Sequence, residues 1–207
     1  MTLNIKDITL SVEGNVLFQS VSFDVAGGQV FSIMGQSGCG KSSLLSLITG
    51  TLDTAFTASG CVLLNGCDIT HQAPHKRCIG IQFQDHLLFP HMTVGENLAF
   101  GIPERFRAKE RKAMVIKALN DCGMAGFENQ NPATLSGGQR GRVSVMRTLL
   151  SEPEAVLLDE PFSKLDKELK AEFRQFVFDQ VYSREIPTVM VTHDTDDVPD
   201  RSLMMRL

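Results

Sequence analysis

The chain has 207 residues, 43% hydrophobic and 21% charged, with Lys+Arg 20 against Asp+Glu 24 for a formal charge of −4. That length suits one large domain, or a domain with a small lobe, and without a basic excess nucleic acid is not expected as the main partner. Met1–Asp7 lacks the basic and apolar regions of a secretory signal, no apolar run reaches membrane-spanning length, and five cysteines (Cys39, Cys61, Cys67, Cys78, Cys122) include no C-x-x-C pair. A reducing, cytoplasmic setting is therefore expected, rather than a disulfide framework or a zinc site.

In chain order, Ile5, Ile8, Leu10 and Val12 alternate imperfectly with polar residues, and Val21 to Val25 alternates cleanly before Gly27-Gly28. This predicts antiparallel β-structure leading into a buried strand at Val30 to Met34. Next comes Gly35-Gln36-Ser37-Gly38-Cys39-Gly40-Lys41-Ser42, which fits G-x-x-x-x-G-K-[ST] at every fixed position, followed by an amphipathic helical stretch from Ser43 to Ile48. Strand, loop and helix form the context that the motif requires. The glycines let backbone N–H groups wrap a polyphosphate, and the helix start contributes the positive end of its dipole. Lys41 is expected to reach the β- and γ-phosphates and the Ser42 hydroxyl to bind Mg²⁺. Cys39 reads as a small filler residue; the sharper alternative is a thiol whose alkylation or oxidation blocks nucleotide.

Further on, Ser59-Gly60 opens a strand, Cys61 to Leu64, ended by the hairpin signal Asn65-Gly66. A short strand begins at Ile79 and closes on Gln84, and an irregular apolar link follows to Pro90. Its Leu87, Leu88 and Phe89 either tuck into a local core or form a docking surface. Helical signals then dominate: Glu96 to Phe100, Ala108 to Cys122 stopped by Gly123, and a helix capped by Ser136 that runs through Val143 to Leu150. Ala155 to Leu158 reads as a strand buried on both faces and ending in Asp159-Glu160. Leu165 to Tyr182 is helical, with Leu169, Phe173, Phe176, Val177 and Val181 as a core stripe. Thr188 to Thr192 is another buried strand, with His193 just past its end, and Leu203-Met204-Met205 allows a final edge strand. The expected fold is α/β: a core with an antiparallel β region over 1–84 and 152–207, and an inserted helical lobe over 85–151.

In a parallel α/β sheet, ligands bind outside the carboxyl ends of the strands, so the phosphate loop, Asp159-Glu160 and His193 are expected to gather on one edge. Asp159 suits the Mg²⁺ shell, and Glu160 can polarise or deprotonate an attacking water. Capping of the next helix is the structural alternative for both.

With Gln84, Leu135-Ser136-Gly137-Gly138-Gln139, Val156 to Pro161, Ser163-Lys164-Leu165-Asp166 and His193 in this order, the chain resembles an ATP-binding-cassette ATPase over essentially its whole length. Leu88 to Asn97 further resembles the importer subunits of ferric-ion, sulfate, thiamine and polyamine systems. The resemblance implies a P-loop core in which Gly35, Gln36, Ser37, Gly38, Cys39, Gly40, Lys41, Ser42 and Ser43 hold ATP, with Val12 at the adenine. Ser42, Gln84 and Asp159 would serve Mg²⁺, Glu160 would be the base, and His193 the γ-phosphate sensor. It implies a head-to-tail dimer in which Leu135, Ser136, Gly137, Gly138 and Gln139 of one copy face the nucleotide of the other, with Asp166 at the interface. Its expected partners are membrane permease subunits, docked near Leu87 to Phe89 at the cytoplasmic face of the inner membrane, and a solute-binding protein.

Departures carry expectations of their own. Val12 stands where an aromatic usually stacks on adenine, which predicts weak adenine selectivity, since such stacking is worth roughly 1–3 kcal/mol. Gly141 and Lys164 replace a polar and a small residue, and a chain ending near the core's edge implies no C-terminal regulatory domain. The other readings are a soluble ABC-type switch acting on nucleic acid or ribosomes, and a scaffold that binds nucleotide without turnover.

Overall fold

In the computed structural model, residues 1–36, 38–200 and 202–207 are described, the Lys167 side chain excepted. The chain divides into two compact units, one comprising 1–81, 154–160 and 181–207, the other 82–153 and 161–180.

The first unit holds two sheets. β1 (Thr2–Val12) and β2 (Asn15–Ala26) form an antiparallel hairpin, and β4 (Phe56–Leu64) pairs with the other side of β1 and with the short β5 (Cys67–Asp68). β4 begins at Phe56 rather than at Ser59-Gly60, because Gly60 is not the strand's opening turn. It sits at φ +102 in a bulge where the register slips between Lys6 and Thr9, and a Cβ there would lie 2.5 Å from the Lys6 carbonyl. Asn65 and Gly66, both at positive φ, close the β4–β5 hairpin.

The second sheet has the order β6–β7–β8–β3–β9, built from β3 (Val30–Met34), β6 (Ile79–Gln82), β7 (Ala155–Asp159), β8 (Thr188–Thr192) and β9 (Leu203–Arg206). β7, β8, β3 and β9 run parallel, with Met34 beside Thr192 and Asp159 beside Val191. Every residue of β3 and β8 is buried, the hydroxyls of Ser32, Thr188 and Thr192 included, as suits strands covered on both faces. Helix α1 (Lys41–Thr49) contributes Leu44, Leu45 and Ile48 to a core shared with Leu3, Ile5, Leu10, Ile33, Leu157 and Val191.

Arg77 organises one end of this core. Only 5% exposed, it donates to the carbonyls of Leu47, Ile48, Thr70 and Gln72 at 2.6–2.9 Å, so it caps the C-terminus of α1 with a fixed positive charge.

The second unit is helical: α2 (Val94–Gly101), α3 (Ala108–Asp121), α4 (Gly137–Leu150) and α5 (Lys167–Ser183), whose last turn belongs to the first unit. Thr93 and Glu96 form a capping box on α2. Gly141 exists because α5 comes close: a Cβ there would lie 2.7 Å from the Phe173 ring, which is itself fully enclosed. Leu169 departs from the expected stripe and is 37% exposed, while Phe173, Phe176 and Val177 are buried. No helix among the described residues is long and apolar enough to cross a membrane.

Candidate nucleotide site

Three neighbouring parallel strands, β7, β8 and β3, deliver their C-terminal ends to one edge of the sheet. From β3 comes the loop of residues 35–40, of which Ser37 lies outside the described residues. Gly38 and Gly40 stand at φ +86 and +95, backbone that a side chain would strain. Gly40 immediately precedes α1, whose first turn has neither a side-chain cap nor an acidic residue. Its N–H groups are therefore left for a ligand of negative charge.

Lys41 is 5% exposed, and its ammonium donates to the carbonyls of Gly35 and Gln36, both at 2.8 Å. Cys39 Sγ lies 3.9 Å from the same nitrogen. That thiol also fills the space beside Gly35, where a Cβ would meet it at 2.7 Å and the Leu207 carbonyl at 2.9 Å. Phe18, buried in β2, packs beneath Gly40, where a Cβ would come within 3.0 Å of its ring. An aromatic residue thus does approach the loop, as a floor under its glycine. Val12 ends β1, half-buried and paired with Asn15 and Phe56, while Ser43 is half-buried in the first turn of α1.

The strand ends supply the carboxylates. Ser42 Oγ donates to Asp159 Oδ1 at 3.2 Å. Burial pushes the Asp159 carboxyl above the usual range and Glu160 beside it adds to that, against the Ser42 hydrogen bond and the Lys41 charge. Glu160 follows at φ +45, an uncommon backbone for a side-chain-bearing residue, and its N–H donates to the Val191 carbonyl. The turn leaves its carboxylate 3.2 Å from His193 Nδ1, with Glu160 21% and His193 56% exposed. A base beside a ring nitrogen can hold and pass a proton.

The fit to a hard divalent cation is chemical. Among the described residues no group of three or more His, Cys, Asp or Glu could hold a metal. A cation here would instead be held by Ser42, Asp159 and phosphate oxygens, a mixed oxygen set that suits Mg²⁺.

The remaining predicted residues lie in the second unit. Ser136 caps α4 through a complete box: Gln139 N–H donates to Ser136 Oγ at 3.2 Å, and Ser136 N–H donates to Gln139 Oε1 at 2.9 Å. Leu135 is buried and its carbonyl accepts from Arg140. Gly137 and Gly138 approach Leu165 and Leu169. Asp166 caps α5, accepting from Leu169 N–H at 3.0 Å, and Gln84 is exposed.

Asn97, fully buried in α2, is a residue that sequence reasoning passed over. Its side chain binds the Phe89 N–H and the carbonyls of Phe89, Met92 and Thr93, which ties the apolar link to the helix. A buried amide in an otherwise apolar turn was the available signal. The link is split by this arrangement: Leu88 and Phe89 are half-buried, Leu87 is exposed, and Phe89 meets the exposed Phe100 edge-on.

The ABC transporter family model matches residues 18–163. The uncharacterized ABC transporter ATP-binding protein YnjD of Escherichia coli (strain K12) is 44% identical over 98% of this chain and 94% of its own length. The putrescine transport ATP-binding protein PotG of the same organism is 37% identical over 94% of this chain, and the sulfate/thiosulfate import ATP-binding protein CysA of Nocardia farcinica 41% identical over 89%. The chain spans about half the length of these last two, 51% and 56%. It belongs to the ABC transporter family, whose ATP-binding proteins are ATPases.

Proposed function

We propose that this chain is the ATP-hydrolysing subunit of a membrane transporter of the importer class, and that residues 1–207 act as one ATPase domain. The observation that carries the proposal is the single sheet edge on which the phosphate loop, the Ser42–Asp159 contact and the Glu160–His193 contact occur together. Residues Gly35 to Ser43 would hold the phosphates, with Lys41 turning from the loop carbonyls to the terminal phosphate oxygens. Ser42, Asp159 and Gln84 would hold Mg²⁺, which supplies charge neutralisation on the phosphates. Glu160 would orient or deprotonate the attacking water, and His193 would hold the Glu160 carboxylate and sense the γ-phosphate.

The signature segment 135–139 offers backbone donors at a helix start and no charged side chain, which suits a phosphate brought by a second copy of the chain. We therefore read the working form as a head-to-tail pair, with Asp166 near its interface. Permease subunits would dock by the exposed Leu87 and its neighbours at the cytoplasmic face of a membrane, and a solute-binding protein would complete an importer. The name of the sulfate/thiosulfate import relative supports import and that of the putrescine relative supports transport, without fixing the solute.

The test is ATP turnover by the purified chain with Mg²⁺, alongside size measurement of Glu160→Gln with ATP. The expected result is hydrolysis by the wild type and an ATP-dependent dimer in the variant. A wild type that binds ATP but never hydrolyses it, with or without its permease, favours the scaffold reading and overturns this one.

A further inference from the structure

Two short arches in the second unit are each pinned at both ends. The first, 83–85, runs between Gln82, whose Oε1 accepts from Ser144 Oγ at 2.9 Å, and His86, whose carbonyl accepts from Ser144 Oγ and Arg147 Nη2 at 2.7 and 3.2 Å. The second, 163–165, runs between Phe162, fully buried among Phe173 and Phe178, and Asp166, which caps α5. The arches are joined by an ion pair between the Lys164 ammonium and the Asp85 carboxylate. Both groups line a cavity of about 350 Å³ together with Gln84, His86, Gly137 and Arg140. Arg140 is already committed to the Leu135 carbonyl at 2.6 Å, so Lys164 is the cation that holds Asp85.

We propose that Lys164 is a positioning residue for ATP hydrolysis: through Asp85 it locks the Gln84 arch to the arch that ends at Asp166, so that the two move as one. The inference rests on the proposed function, which places Gln84 at the cation and Asp166 at the dimer interface. An exposed pair contributes little to folding stability, because water screens it and ordering two long side chains is costly. Here the pinned ends have already removed most of the freedom of both loops, so a weak contact is enough to set their relative position. Contact of one copy with another near Asp166 would then be felt one residue from Gln84 within the same protomer.

The test is a double-mutant cycle in steady-state ATP turnover with Lys164→Ala, Asp85→Ala, both together, and the exchanged pair Lys164→Asp with Asp85→Lys. Each single variant is expected to lose about threefold in kcat with KM for ATP unchanged, the size an exposed pair can carry. The double variant should lose no more than the singles, and the exchanged pair should recover turnover; all four substitutions lie on exposed side chains, and melting temperature checks that they fold. Unchanged kcat in the singles, effects that multiply in the double, or an exchanged pair as slow as the double overturns the inference. A wild type without turnover instead overturns the proposed function, and is recognised before any variant is measured.

Discussion

On the proposed function, the phosphate-loop edge of the first unit and the signature end of α4 in the second both meet phosphate, yet they are built by opposite means. At the sheet edge the chemistry is ionic and already engaged: Lys41 is held by two carbonyls, Ser42 by Asp159, and Glu160 by His193. At α4 the polar side chains are used up within a capping box and the glycines admit a close neighbour. The first region therefore has interactions to exchange when a ligand arrives, and the second has only backbone donors to present. A polyphosphate at the sheet edge must displace partners from Lys41, whereas at the signature it would meet the Gly137 and Gly138 N–H groups, which the capping box leaves unused.

The largest expected effect breaks the first region alone. Glu160→Gln should reduce turnover by about 10²–10⁴-fold, the usual worth of general base catalysis, while ATP binding measured by fluorescence or calorimetry persists. Equal turnover would remove Glu160 from that role.

Next are the supports on each side. Arg77→Met should destabilise the first unit by about 2–4 kcal/mol, because four carbonyls, the Ile48 one buried and the others partly so, lose a charged donor; denaturant unfolding reads this directly. Gly141→Ala sharpens the comparison from the other side. A gain in helix propensity of about 1 kcal/mol is set against a Cβ lying 2.7 Å from an enclosed ring, and overpacking of about 1–3 kcal/mol should win. Replacing Phe173 by Leu in the same chain should relieve most of that loss.

Asp159→Asn tests whether the ionic edge is held at a cost. A carboxyl with its folded pKa raised is penalised when charged, so it lowers stability above that pKa and the penalty disappears as pH falls through it. The nucleotide-free variant should thus melt above the wild type at pH 7, and the gap should close as the pH approaches the carboxylate range. A lower melting temperature at pH 7 contradicts the burial argument. The smallest effect concerns Cys122, buried in the second unit with its thiol pushed up to about 11 by burial. A thiol reagent at pH 7 should label the exposed Cys61, Cys67 and Cys78 first and reach Cys122 only on unfolding.

These regions also differ in how far the sequence disclosed them. The phosphate loop and its strand were readable because fixed residue types mark the loop, and β7 and β8 were readable because burial on both faces selects the apolar runs Ala155 to Leu158 and Val189 to Val191. The Ser136 cap was readable from local chemistry. Gly60 was misread because a glycine at a bulge and a glycine before a strand look alike until the partner strand is present. Leu169 was misread because helical periodicity states which residues share a face, not what covers the end of that face. Arg77 was invisible as an anchor, since its partners are backbone carbonyls and a backbone leaves no mark in the sequence, and Asn97 offered only an amide ahead of the apolar run Leu98 to Phe100. Gly141 looked like a mere departure from a polar residue for the same kind of reason: its explanation is the Phe173 ring, thirty-two positions away.

β9 runs parallel to β3 at the sheet's edge, and beyond it Leu207 N–H donates to the Met34 carbonyl at 2.8 Å while its own carbonyl lies over Gly35. The backbone at Gly35 is in this way tethered to Leu207, just past the end of β9. A substitution that unseats β9 from β3 would therefore slacken the backbone at Gly35, where the proposed phosphate loop begins.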